Sequence, residues 1–463
     1  MKRQVVLAAA LAAITFYPLL LLAQNPAEFD VLLGTSLASG LDLGINTSGG
    51  LTNWLTPQPP PPTLGDLSMV CPGGQLWCAM FITDGPAVST YPRLGIDVSG
   101  YKTMIVEIEG DAGTTIQIGI KDATQPDDGT ETKVTLPVTS NWAAFAIPLS
   151  SFLTPVPAHT YNNVLYPTHV VDLTKIYIPC EFVFAGGPQP QTVKVRTIIY
   201  TTTVTPTPSS VESAASFLTG AGTNTWVSIF GQNLSATTRG WLSSDFQQNN
   251  LPTTLGGTGV TVFGQGMFNG EAMPVSYVSP GQINALIRSD VPAGTAYVSI
   301  TTPTSVSALL ENVVDSVPVL VNVQALFPGL FTLSPPNAKY AAAIGSSDGA
   351  FIAPSGSLGA GVNARPAIPG ETIELYGTGF GPTNPPDTPG MLLPSPLPLV
   401  ATPQVLFGNT PSQSVSFAGL VGPGLYQFNV VVPNVSAGDQ QIVIRVGNSA
   451  SQSNVFVPVK AGP

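Results

Sequence analysis

Glu371-Thr-Ile-Glu-Leu-Tyr376 runs into Gly377-Thr-Gly-Phe-Gly381 and a proline-rich loop. Val405-Leu-Phe-Gly408, Val415-Ser-Phe417, Gln427-Phe-Asn-Val430 and Gln440-Gln-Ile-Val-Ile-Arg445 follow. The same series occurs earlier: Trp226-Val-Ser-Ile-Phe230 into Gly231-Gln-Asn-Leu234, then Val262-Phe-Gly264, Val275-Ser-Tyr277, Gln282-Ile-Asn284 and Ala296-Tyr-Val-Ser-Ile300. Phe230 stands to Tyr376 as Gly264 to Gly408 and Gln282 to Gln427, at nearly constant spacing, so one unit is duplicated. In each copy apolar and polar residues alternate over short runs bounded by Gly, Pro, Asn and Ser, the pattern of half-buried strands in an antiparallel sandwich. Val306–Val317 alone has apolar spacing that would suit a helix. Its register with the second copy sets Asn312-Val-Val-Asp-Ser-Val317 on Asn454-Val-Phe-Val-Pro-Val459, where Pro458 would break a helix, and predicts a closing strand in both copies.

The strand, the Gly-Thr-Gly-Phe-Gly segment and the proline-rich loop resemble the opening of the immunoglobulin-like fold shared by plexins and transcription factors, the IPT/TIG family. From about Val211 onward, including Pro328-Gly-Leu-Phe331 between the copies, the chain is similar to an uncharacterised C-terminal region of secreted proteins from soil acidobacteria. That resemblance implies fold and lineage, and no chemistry.

The 463 residues suggest about three domains. Charged residues make up only 9%, against 47 glycines and 46 prolines, so turns dominate and long solvated helices are not expected. A net charge of −11 on a sparsely charged chain argues against nucleic acid and anionic membrane as partners. Lys2-Arg3 followed by the apolar run Val5–Ala23 reads as a secretory signal cleaved after Ala23, 1–23, against an uncleaved anchor interrupted by Pro18. Nothing later is apolar enough to span a bilayer. Export permits a disulfide, and Cys71 and Cys78 are near enough to close a small loop around Pro72-Gly-Gly-Gln. Cys180, on a strand, reads as a buried small apolar residue. Three cysteines and two distant histidines lack zinc-ligand spacing.

Between Phe29 and Tyr200 the strands Lys102–Glu109, Thr114–Ile120, Thr132–Leu136, Ala143–Ile147 and Thr192–Ile199 give a β-sandwich of jelly-roll size. Asn141-Trp-Ala-Ala-Phe-Ala-Ile-Pro-Leu-Ser-Ser-Phe152, then Val171-Asp-Leu-Thr-Lys-Ile-Tyr-Ile178, then a closing strand after Gly186-Gly187 resemble the galactose-binding-like sandwich of many carbohydrate-binding modules. The resemblance implies a structural Trp142. It departs at the last strand, where Lys194 and Arg196 replace an expected Asp, so no metal or glycan site carries over. Thr201–Ser210 reads as an extended spacer of on the order of 30 Å, and Pro57–Pro62 as an extended loop within the domain.

Most motifs that could carry chemistry have a simpler reading. Gly345-Ser-Ser-Asp-Gly349 has nucleophile-elbow spacing, but a strand follows it and no histidine comes after His169, so a hairpin turn is expected. Gly377–Gly381 lacks the third glycine, the helix and the lysine of a nucleotide loop. Glu107 and Glu109 alternate with Val106 and Ile108, which predicts that both carboxylates face solvent. Asp127-Asp-Gly-Thr-Glu131 has oxygen ligands enough for calcium but no defined loop spacing, and reads as a solvated hairpin turn. His159 and His169 flank Tyr161–Tyr166 and could bind a sugar or act as acid and base. Trp226 opens a strand and reads as structural. Trp54 and Trp77 lie in Pro/Gly-rich loops and, with Tyr91, Tyr161 and Tyr166, could stack on sugar rings that Asn162 and Asn163 would orient.

The reading is all-β: a jelly-roll-type β-sandwich (25–203), a linker (204–210), an immunoglobulin-like (IPT/TIG-like) repeat (211–318), a connector (319–364) and a second repeat (365–463). The expected protein is secreted or held at the cell surface, non-catalytic, and binds polysaccharide or an extracellular protein, with no cofactor, metal, nucleotide or nucleic acid. The rival readings are an adhesive matrix protein and a glycan-active enzyme.

Overall fold

The computed structural model describes residues 27–47, 55–57, 65–87, 93–264, 266–306, 313–334 and 338–461. The signal segment, Trp54, Tyr91 and most of the Pro57–Pro62 run lie outside them. Among the described residues the chain is all-β, with two single 3-10 turns, Leu149–Phe152 and Ser243–Asp245, and no α-helix.

Fourteen strands build the first domain: β1 (Glu28–Leu33), β2 (Ser36–Leu37), β3 (Leu41–Thr47), β4 (Leu55–Pro57), β5 (Leu67–Cys71), β6 (Trp77–Asp84), β7 (Thr103–Gly110), β8 (Thr115–Asp122), β9 (Lys133–Pro137), β10 (Ala143–Pro148), β11 (His159–Tyr161), β12 (Val164–Tyr166), β13 (Ile176–Ala185) and β14 (Gln191–Thr201). One layer is the sheet β3-β6-β13-β8-β9; the other runs β10-β7-β14, with β1 and β5 sharing the far edge of β14. Strict alternation drives the packing. Cys78, Met80 and Ile82 of β6, Ile116, Ile118 and Ile120 of β8, and Cys180, Phe182 and Phe184 of β13 turn inward, against Met104, Val106 and Ile108 of β7 and Val193, Val195 and Ile198 of β14. Cys180 is buried and unbridged, its thiol pushed well up by that burial.

The outer face of the second layer departs from expectation. Glu107 is fully buried, paired with Arg196 and accepting a 2.9 Å hydrogen bond from Thr197 Oγ1. Trp142 is half-buried on this outer face, its ring 4.3 Å from the Arg196 guanidinium, so it roofs the pair. Alternation placed Glu107 on the right face; that face is covered. Glu109 pairs with Lys194 at 2.5 Å on the same face.

The apolar part of the same face is covered by the next domain. Phe145 and Ala146 of β10 pair in parallel with the strand Val313–Ser316, which pairs antiparallel with Gly294–Pro303, so one sheet continues from the first domain into the second. Ile105, Ala144, Ala146 and Ile199 pack there against Val306 and Val314. Thr201–Ser210 is accordingly no spacer: Thr103 Oγ1 donates to the Thr203 carbonyl at 2.7 Å, Thr205 is buried, and Thr207–Ser213 is already a strand.

The two C-terminal segments read as copies share pairings. Phe230 lies opposite Gln282 as Tyr376 lies opposite Gln427, and Gln282 donates to Asn284 (2.8 Å) as Gln427 does to Asn429 (2.7 Å). The closing strand is corrected. Phe456–Val459 pairs with Gly438–Gln441, and the strand that pairs in the same way with Gly294–Val298 is Val319–Gln324 rather than 312–317. The first copy therefore runs past 318. Val313–Ser316 belongs to an insertion that reaches the first domain. Ala343–Gly345 and Phe351–Ile352, placed in the connector, pair within the second copy's sheet, with Gly345–Gly349 as the turn between them. Trp226, half-buried, donates from Nε1 to the Pro423 carbonyl at 2.7 Å and so joins the copies.

Candidate functional site

The face of the five-stranded sheet turned away from the core carries an open groove of about 880 Å³. Its floor follows from cross-strand register. One row reads Gly44, Phe81, Glu181, Gly119, Lys133; the next reads Asn46, Ala79, Val183, Gln117, Thr135. The glycines make room for their neighbours. A side chain at Gly44 would collide with the Phe81 ring, and one at Gly119 would lie about 2.5 Å from Glu181 Oε1. Alternation along β13 puts Tyr177 on the groove side together with Glu181 and Val183.

Two exposed aromatics border the groove: Trp77, 38% exposed, and Tyr161, 37% exposed. Trp77 opens β6 next to Cys78, whose disulfide to Cys71 (Cα–Cα 5.7 Å) ties β6 to β5 of the other layer. Tyr161 ends β11, and Asn162 and Asn163 (φ 48° and 63°) form the turn into β12. Positive φ at both positions is what a two-residue hairpin turn requires, so these asparagines shape the hairpin and do not line the groove. Tyr166 stacks on His159 at 5.8 Å between ring centres, and His159 Nε2 lies 2.8 Å from Asp128 Oδ2. His169 pairs with the buried Asp122. Of the expected site residues that are described, the groove gathers Trp77 and Tyr161.

The charged groups of the groove were not anticipated. Asp127, Gly129 and Thr130 are exposed, as a solvated turn requires, but the carboxylates of the segment turn toward the cations of the sheet. Asp127 meets Arg93 and, at 3.3 Å, Lys121; Glu131, its side chain only 6% exposed, meets Lys133 and, at 3.3 Å, Lys121. Arg93 also lies 4.4 Å over the Tyr177 ring. Glu181 stands 3.8 Å from Lys133, is 7% exposed, and its Oε1 has no hydrogen-bond partner. Burial and the neighbouring Glu131 carboxylate push Glu181 up to about 8. Burial opposes ionisation of Glu131 too, but its hydrogen bond with Glu181 and the charges of Lys121 and Lys133 outweigh that and hold it at about 2. The pair thus keeps one proton between two carboxyls near neutrality. Burial and Asp127 raise the Tyr177 phenol to about 12. The signal for these residues was present in β6, β8 and β13: Trp77, Phe81, Gln117, Lys121 and Glu181 sit at alternate positions opposite an apolar comb. Only the pairing order shows that the three combs are neighbours.

No protein-family model matches the chain, and no curated protein matches it. Among solved structures, a mutant of CBM29-2, a family 29 carbohydrate-binding module, complexed with mannohexaose, is similar over 38% of this chain and 91% of its own, at 10% identity and a TM-score of 0.22. Another mutant of that module, complexed with cellulohexaose, matches at 10% identity and a TM-score of 0.23 over 38% of this chain and 90% of its own. A family 30 carbohydrate-binding module matches at 17% identity and a TM-score of 0.27 over 39% of this chain and 90% of its own. At these scores the likeness carries no argument about ligand, and the site rests on its own geometry.

Proposed function

We propose that the first domain is a non-catalytic glycan-binding module, borne by the groove on its five-stranded sheet. The observation that carries this reading is the pair of exposed rings, Trp77 and Tyr161, at the border of a long open groove whose floor is a regular sheet. Flat apolar faces beside hydrogen-bonding groups suit the two surfaces of a sugar ring. The Glu131–Glu181 pair does not suit hydrolysis: a glycosidase holds its two carboxyls about 5–9.5 Å apart with the sugar between, whereas these two bond to each other. The Cys71–Cys78 disulfide and the Lys2-Arg3 pair followed by the apolar run Val5–Ala23 support export, with the mature chain beginning at Gln24.

Pull-down of the full chain on a panel of insoluble polysaccharides tests the reading. Retention on at least one is expected, and Trp77→Ala should weaken it at least tenfold with no change in unfolding temperature. A folded chain retained by none would overturn it. The full chain is the right reagent, because removing residues beyond 203 would bare the β10 edge and the apolar face of Ala144 and Ala146.

A further inference from the structure

We infer that the groove selects uncharged glycans, with the side-chain amide of Gln117 as the group that reads their hydroxyls; this rests on the proposal that the groove holds glycan. Three cations line the groove and each already holds a carboxylate: Arg93 with Asp127, Lys121 with Asp127 and Glu131, Lys133 with Glu131. The lysine side chains are 5% and 13% exposed, so neither ammonium is offered to a ligand. A uronate or sulfate would have to strip a carboxylate from one of these cations while desolvating itself, an exchange with no net gain in ion pairing. It would also approach a groove lined by five carboxyls, Asp84, Asp127, Asp128, Glu131 and Glu181, on a chain of net charge −11.

Gln117 is different. It stands mid-floor between Val183 and Thr135 on the flanking strands, is half-buried, and among the described residues its amide makes no hydrogen bond to the protein. A primary amide offers two donors and an acceptor side by side, the complement of two adjacent hydroxyls, each able to donate and accept. Ala79 and Val183 in the same row are small, so a ring can settle to the depth of that amide. A buried polar group left without a partner under a bound ligand is costly, and a hydroxyl-bearing ring is the ligand that removes the cost without adding charge.

Affinity electrophoresis of the full chain tests this, in low-salt gels that hold either a soluble neutral polysaccharide (galactomannan, xyloglucan, mixed-linkage β-glucan) or an anionic one (polygalacturonate, alginate). Retardation by at least one neutral polymer and by no anionic one is expected. Gln117→Ala should weaken it roughly tenfold. Gln117→Glu, which keeps the size and adds charge, should weaken it as much, both variants unfolding at the parent temperature. Should either variant prove unfolded, Gln117→Thr, a β-former that removes the amide, replaces it in the comparison. Retardation by an anionic polymer that Trp77→Ala abolishes would overturn the selectivity and leave the glycan reading standing, as would neutral binding unchanged in the Gln117 variants. No retardation of the folded chain in any gel would remove the glycan reading and this inference with it.

Discussion

The first sandwich and the two that follow are built by the same alternation, yet they use their ion pairs differently. In the last repeat Arg365 bridges Asp348 and Glu371 at 2.8 Å at the rim, with Asp348 41% exposed. In the first domain the charges lie inward: Glu107 and Arg196 beneath Trp142, and Lys121, Lys133, Glu131 and Glu181 beneath the groove. Rim pairs cost little to make or break, while buried ones are held only by surrounding structure. The contrast teaches that the first domain spends stability on a shaped polar surface and the repeats do not.

The largest expected effect comes from removing one partner of the buried pair. Glu107→Ala leaves the Arg196 guanidinium buried without its carboxylate and should destabilise the first domain by about 3–5 kcal/mol, read as a lower denaturant midpoint; a loss under about 1 kcal/mol would erase the contrast. Next comes the disulfide. The double substitution Cys71→Ser and Cys78→Ser opens a short loop and should cost about 2–3 kcal/mol. Reductant should produce the same shift in the parent and none in the variant.

A smaller effect is the pH dependence of the carboxyl pair. Glu131 is held low, so its contribution is present above its ordinary 4.5 and is lost as pH falls toward about 2. Glu181 is raised, so the unfolded chain ionises first and stability falls as pH rises from 4.5 through about 8. Thermal unfolding of the parent should decline across that upper window, and Glu181→Gln should flatten the decline; parallel slopes would show that the pair does not share a proton. The smallest effect is Asp348→Ala, expected to leave the denaturant midpoint close to that of the parent because Arg365 keeps Glu371. A loss as large as that of Glu107→Ala would abolish the distinction between rim and interior.

The sequence by itself determined the all-β class, because side-chain alternation and turn residues are local and survive any arrangement of the strands. It also determined that Glu107 and Glu109 share a face, whereas Trp77, read as a loop residue, opens β6 and lies on one face with Phe81. Tertiary structure alone decided what covers each face. Val313–Ser316, read in line with Asn454–Val459, instead crosses to β10 and packs on the apolar part of the outer face, while Arg196 and Trp142 enclose the Glu107 that alternation assigned to solvent. The groove likewise depends on β6, β13, β8 and β9 standing side by side, which unites Phe81, Glu181, Gly119 and Lys133 from four distant segments. Periodicity along a strand sets the direction of a side chain; its neighbours are set by pairing between segments far apart in the chain, and no local pattern encodes that.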